Sequence, residues 1–184
     1  GMAQALGAKF YDIDGGEVAV GGGQLKQIHQ IDLSALDARL KQVEIMIASD
    51  VNNPLCGEQG ASSVFGAQKG ATPDMVKQLD QNLSHFADLV EQQCGLDLRN
   101  VAGAGAAGGL AFALMAFAGA KIRSGVELMI EQTQLAEKIA QADYVFTGEG
   151  GIDFQTKFGK TPFGLALVAK RLNKPVIACA VYVG

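Results

Sequence analysis

The chain has no tryptophan, 4 prolines, 3 cysteines and 2 histidines among 184 residues, and each scarcity removes a class of protein. Cys56, Cys94 and Cys179 show no Cys-x-x-Cys spacing and have only His29 and His85 for company, which excludes a disulfide framework and a structural zinc site. Charge is sparse as well. Charged residues make up 18%, and 15 Lys and Arg stand against 19 Asp and Glu, for a formal charge of −4. No basic field exists to attract a phosphate backbone, so no nucleic acid is expected as a partner. The first residues lack a basic segment followed by a long apolar stretch, so no secretory signal is read, and unpaired cysteines suit a cytoplasmic location. Val101–Ala120 carries no charge and is long enough to cross a bilayer. It opens on Val, Ala and Gly only, which gain little from hydrocarbon, and so reads as a glycine-rich loop feeding a buried helix. No membrane partner is expected. What is plentiful is glycine, 24 residues without a collagen period, and apolar side chains at 48%. The chain has enough apolar surface to fold, and its glycines belong in loops and close backbone approaches.

The length suits one domain, or part of a larger two-domain protein. Lys9–Asp14 and Glu17–Val20 read as short antiparallel strands around Gly15-Gly16. Ser34–Lys41 has Leu33, Leu36 and Leu40 at helical spacing, and Val43–Ala48 reads as a buried strand delivering polar residues at its end. The plainest helix starts at Thr72-Pro73-Asp74, carries Val76, Leu79, Leu83, Phe86 and Val90 on one face, and stops at Cys94-Gly95. On that helix His85 reads as a partly exposed residue and not as a ligand. Ser124-Gly-Val-Glu127 has capping-box spacing and predicts another helix, with a further one over Leu135–Ala142. Strand Asp143–Thr147, loop Gly148–Asp153, helix Thr161–Leu172 and strand Pro175–Ala180 make a parallel βαβ unit, whose ligands belong beyond the strand C-termini.

Gly103-Ala-Gly105-Ala-Ala-Gly108 matches the dinucleotide pattern letter for letter, yet its lead-in Asp97–Asn100 is polar and Glu127, the acid at the right distance, falls in a predicted helix. Two readings remain open: backbone N–H groups facing an anion, or close helix packing. Gly159-Lys160-Thr161 ends like a P-loop, but Phe154 stands where the first glycine is required. Thr156, Lys157, Lys160 and Thr161 nevertheless gather donors and positive charge behind Glu149 and Asp153, which suits either a set holding Mg²⁺ and offsetting phosphate charge or a solvated surface loop. Asp50 and Asn52 leave a predicted strand for a loop containing Lys69, an arrangement suited either to a substrate hydroxyl or to a structural turn. Cys56 has no adjacent histidine to activate it and reads as packing.

Four blocks in order, Ala48-Ser-Asp-Val-Asn-Asn-Pro-Leu-Cys-Gly57, Gly60–Pro73, Gly103-Ala-Gly-Ala-Ala-Gly-Gly-Leu110 and Thr147-Gly-Glu-Gly-Gly-Ile-Asp-Phe-Gln-Thr156, resemble the glycerate kinase family of the bacterial type. The resemblance covers nearly the whole chain. It implies an α/β fold with α+β: an inserted α+β domain over residues 1–130, then residues 131–184 as the C-terminal part of a flavodoxin-like (Rossmann-like) parallel-sheet domain. It also implies phosphorylation of D-glycerate to phosphoglycerate with ATP and Mg²⁺. On that footing Asp50, Asp153 and Lys160 are the catalytic candidates and Glu149 and Asp153 the metal ligands. Asn52, Lys69, Gly103, Gly105, Gly108, Thr156 and Lys157 are the substrate-binding candidates. Family proteins are about twice this length, so the chain is expected to be a portion, inactive alone, and either associating as a homo-oligomer or depending on its other segments. The alternatives are a non-catalytic module that closes over substrate, and a nicotinamide-dependent oxidoreductase.

Overall fold

A computed structural model describes residues 1–152 and 161–184. The elements run α1 (Met2–Ala5), β1 (Lys9–Tyr11), β2 (Gln30–Asp32), β3 (Met46–Ala48), α2 (Ala61–Phe65), α3 (Pro73–Cys94), α4 (Ala106–Ala118), β4 (Lys121–Arg123), α5 (Gly125–Gln132), α6 (Leu135–Gln141), β5 (Val145–Ile152), α7 (Thr161–Arg171) and β6 (Val176–Val183). Three-residue-per-turn helices lie at Gly22–Gln27, Ala38–Gln42 and Ala67–Lys69. The architecture is mixed α/β, with strands paired β1 to β2, β3 to β4 and β5 to β6. Packing divides the chain into one unit of Gly1–Ile47 and Val51–Ile122 and another of Ala48–Asp50 and Arg123–Gly184.

The spine of the first unit is α3, and its ends follow the local signals. Thr72 Oγ1 accepts from Met75 N at 3.3 Å, Pro73 takes the first helical position, and Gly95 ends the helix at φ 70°. Phe86, Ala87, Leu89 and Val90 are buried, whereas Val76, Leu79 and Leu83 are only half-buried. Phe86 sits at the centre of an aromatic cluster, its ring centroid 5.8 Å from Phe10, 5.9 Å from Phe112 and 6.1 Å from Phe117. Thus β1, α3 and α4 meet at one side chain. Two amides on α3 secure the chain around it: buried Asn82 donates to Gly22 O at 2.9 Å, and Gln93 accepts from Ile31 N at 2.8 Å while donating to His29 O at 2.9 Å.

Several expectations are corrected here. Glu17–Val20 is not a strand and contributes one bridge, Tyr11 with Glu17, while the partner of β1 is β2 in the register Lys9↔Asp32, Phe10↔Ile31, Tyr11↔Gln30. The cause is local: Asp12 Oδ1 accepts from Asp14 N and Gly16 N, which tightens the turn, and Gln93 then holds β2 from the side. Ser34–Lys41 forms only the short helix Ala38–Gln42, because Asp37 caps it by accepting from Arg39 N at 2.9 Å. Arg39 hydrogen bonds hold the Asp37 carboxyl down at about 2. The strand expected over Val43–Ala48 narrows to β3 and is not buried: Val43 is 54% and Met46 39% exposed, and a two-stranded sheet with β4 is too small to bury its faces.

In the second unit β5 and β6 pair in parallel from Val145↔Val176 to Ile152↔Val183, with α7 between them in the chain. Ile139, Val145 and Ala169 form its core, with Leu165, Val168 and Val176 packed against them. The loop expected from Gly148 is strand instead as far as Ile152, because ladder hydrogen bonds need only backbone. Tyr182 of β6 occupies the space where a Cβ on Gly151 would stand. α4 falls within the uncharged stretch, and among the described residues no helix is long and apolar enough to cross a membrane.

Phe86→Ala is expected to destabilise the first unit by about 3–5 kcal/mol, and Thr72→Ala by about 1 kcal/mol. Urea unfolding of the two variants would check both values. Equal and small losses would mean that the aromatic cluster is not what holds α3.

Candidate functional site

The glycine-rich loop is fixed from beneath by backbone. Gly105 N donates to Asn53 O at 3.0 Å, and Leu55 N donates to Arg99 O at 3.0 Å. A Cβ on Gly105 would collide with Pro54 O, and one on Gly103 would lie 3.1 Å from both Val51 O and Ile122 Cδ1. Arg99 is itself tied to α3 through Ser84 Oγ at 3.0 Å and the Asp88 carboxylate, while Asn53 Nδ2 donates to Gln59 O at 2.8 Å. Gly103 and Gly105 therefore serve close packing. The backbone then turns left-handed at three successive residues, Ala107 (φ 52°), Gly108 (φ 70°) and Gly109 (φ 91°), before α4 settles into its right-handed course. α3 and an irregular stretch, not a strand, lead directly into the loop, so the dinucleotide pattern lacks the context it requires.

A cavity of about 850 Å³ in the first unit is bordered by Ala107 and Gly108 on one side and by Lys69 on another, with Phe65, Leu79 and Leu83 as apolar wall. This accounts for the half-buried start of the α3 stripe. Lys69 is exposed at the end of its short helix, and space around the Gly108 Cα is open. Of the sequence-derived candidates, Lys69 and Gly108 are thus brought to one cavity. Gly103, Gly105 and Asn52 are not among the residues that line it, and Asn52 is exposed.

In the second unit Asp50 closes the N-terminus of α5. Its Oδ1 accepts from Gly125 N at 2.9 Å and from Ser124 Oγ at 3.1 Å, and Ser124 Oγ in turn accepts from Glu127 N at 3.4 Å. The capping-box spacing pointed to Ser124, but nothing in the sequence joined it to Asp50. Glu149 is half-buried on β5, opposite Ala180 in register, and not in a loop. Asp153, Thr156, Lys157 and Lys160 lie outside the described residues. Among the described residues no group of three or more His, Cys, Asp or Glu could enclose a metal.

Two polar residues have structural tasks. His85 Nε2 lies 2.8 Å from Ile28 O, half-buried on α3. Burial first, and Asp80 second, push the Cys56 thiol up to about 11, which keeps it protonated and poorly nucleophilic.

The profile of the Glycerate kinase family matches residues 1–184. The chain belongs to the glycerate kinase family. Against "Glycerate kinase" of Haemophilus influenzae it is 51% identical over 180 residues, covering 98% of this chain and 48% of the relative. Against "Glycerate 2-kinase" of Escherichia coli it is 51% identical over 180 residues, covering 98% of this chain and 47% of the relative. A crystal structure from Salmonella typhimurium LT2, named as a glycerate kinase, superposes with a TM-score of 0.89 at 47% identity over 100% of this chain and 51% of that one. The chain spans about half the length of the glycerate kinases it matches.

Gly105→Val is expected to lower the melting temperature through collision with Pro54, whereas Gly108→Ala should cost only about 1–2 kcal/mol for its left-handed backbone. Thermal melts of the two variants distinguish a packing glycine from a cavity glycine, and the reverse order would contradict the assignment. Near pH 8 an alkylating reagent should modify exposed Cys179 well before Cys56. Comparable rates would show that the Cys56 thiol is not held protonated.

Proposed function

We propose that this chain takes part in the phosphorylation of D-glycerate to phosphoglycerate by ATP and Mg²⁺. The observation that carries the reading is the match of 98% of the chain to glycerate kinases at 51% identity. The chemistry of the side chains agrees with it. A carboxylate such as Asp50 suits the orientation and deprotonation of a hydroxyl, and Asn52 offers a hydrogen-bond donor to a substrate. Lys69 and the left-handed backbone at Gly108 suit an anionic group at the cavity, a carboxylate or a phosphate.

Mg²⁺ takes oxygen ligands, commonly one or two carboxylates together with phosphates and water. Glu149 fits as one such ligand and Asp153 is proposed as the other. When bound, the ion would neutralise charge on the transferring phosphate. Lys157 and Lys160 would offset phosphate charge alongside it, and Thr156 would donate a hydrogen bond. In domain terms the first unit corresponds to the inserted α+β domain, assigned from sequence to residues 1–130. The second corresponds to part of a flavodoxin-like domain, assigned to 131–184. Exposed Phe146, Ile177, Val181 and Tyr182 on β5 and β6 support the reading that the isolated chain associates or needs other segments for full order. The first unit has its own core and cavity, which keeps open a second reading in which this chain closes over a substrate without catalysing the reaction.

The test is ATP consumption that depends on both D-glycerate and Mg²⁺, measured by coupled assay in a family protein of full length carrying these residues, beside the 184-residue chain. The full-length protein should turn over and the chain should show little or no rate, because displacing any reacting group by about 1 Å can cost on the order of a hundredfold. NAD binding without glycerate-dependent ATP consumption would overturn the kinase reading. Full turnover by the chain alone would overturn the requirement for further segments.

A further inference from the structure

The capping contact at the start of α5 is organised in a way that helix capping alone does not require. We propose that Ser124 is a positioning residue for Asp50: with Gly125 N–H it fixes one carboxylate oxygen, so that the other is held for the substrate hydroxyl. The inference rests on the reading of Asp50 as the base of the kinase reaction. An N-terminal serine that already accepts from Glu127 N at 3.4 Å satisfies its own helix. Here the same hydroxyl also donates, to Asp50 Oδ1 at 3.1 Å, and Gly125 N donates to that same oxygen at 2.9 Å. Both donors therefore converge on Oδ1. Oδ2 lies where a Cβ on Gly125 would come within 3.1 Å of it, so glycine leaves the second oxygen its place. Asp50 is exposed, which leaves it open to a ligand. The donors come from 74 and 75 residues further along the chain, so the carboxylate is held by a distant element and not by its own turn.

In the step this serves, Asp50 Oδ2 accepts the hydroxyl proton of glycerate as that oxygen bonds to the γ-phosphorus of ATP. The bond from the γ-phosphorus to its bridging oxygen breaks, and ADP leaves with the electron pair. Two fixed donors keep the carboxylate from rotating away from the hydroxyl.

The test uses a full-length family protein carrying these residues, with Ser124→Ala, Ser124→Thr, Gly125→Ala and Asp50→Asn. Ser124→Ala should lower kcat about tenfold while the KM for D-glycerate stays within about twofold. Ser124→Thr retains the hydroxyl and should restore kcat. Asp50→Asn can still accept from Gly125 N, so it should melt near the parent temperature while losing activity. If Asp50→Asn is inactive but Ser124→Ala has parental kcat, the positioning inference is wrong and the base assignment stands. If Asp50→Asn keeps parental activity, the base assignment fails and takes the inference with it. Should Ser124→Ala not fold, Gly125→Ala decides: crowding Oδ2 must lower kcat with KM little changed, and parental kinetics would overturn the proposal.

Discussion

Two stretches of backbone approach so closely at Asn53–Leu55 and Gly103–Gly105 that no side chain fits between them, and the arrangement of the first unit depends on this contact. The hydrogen bonds from Gly105 N to Asn53 O and from Leu55 N to Arg99 O, each 3.0 Å, satisfy backbone groups that would otherwise be buried without partners. Leu55 is fully buried. Because Arg99 is bound to α3 and Phe112 of α4 joins the aromatic cluster, the contact links the loop to both helices. The left-handed residues Ala107–Gly109 follow directly, which gives the edge of the cavity a fixed backbone base.

The six-residue glycine motif shows why a pattern of letters does not settle a role. Its first two glycines avoid a collision, with Val51 and Ile122 at Gly103 and with Pro54 at Gly105, and its third sits in open space beside the cavity. Anion binding and close packing were alternative readings of one string; the geometry shows close packing at Gly103 and Gly105 and leaves Gly108 open at the cavity. Burial changes along the same stripe of α3: Phe86 and Val90 are buried in the core, whereas Leu79 and Leu83 remain half-buried, and Leu79, Leu83 and Phe86 all line the cavity.

What was legible in the sequence is what local chemistry determines. Thr72, Pro73 and Gly95 bound α3 because capping acts within one turn, and the Ser124 signal opened α5 for the same reason. The family, too, was legible in four separated blocks, since their order along the chain carries more information than any single motif. What escaped depends on partners far away in sequence. The pairing of β1 with β2 relies on Gln93 of α3, 62 residues from Ile31. The extension of β5 through Gly148–Ile152 relies on β6, because glycines carry little strand preference of their own. Asp50 suggested a base by its type and place, while the two donors that hold it lie on the N-terminus of α5. Leu33, Leu36 and Leu40 suggested a full helix, which Asp37 cut short by capping at once.

The glycine-rich loop is a rigid part of the fold that ends in an accessible left-handed turn. Residue-resolved amide hydrogen exchange on the protein in native buffer puts this to the test. The Leu55 and Gly105 amides should exchange as slowly as those of Phe86–Val90 in the core of α3. Exchange at Leu55 and Gly105 as fast as at an exposed loop would contradict it, because the two backbones could not then be held against each other.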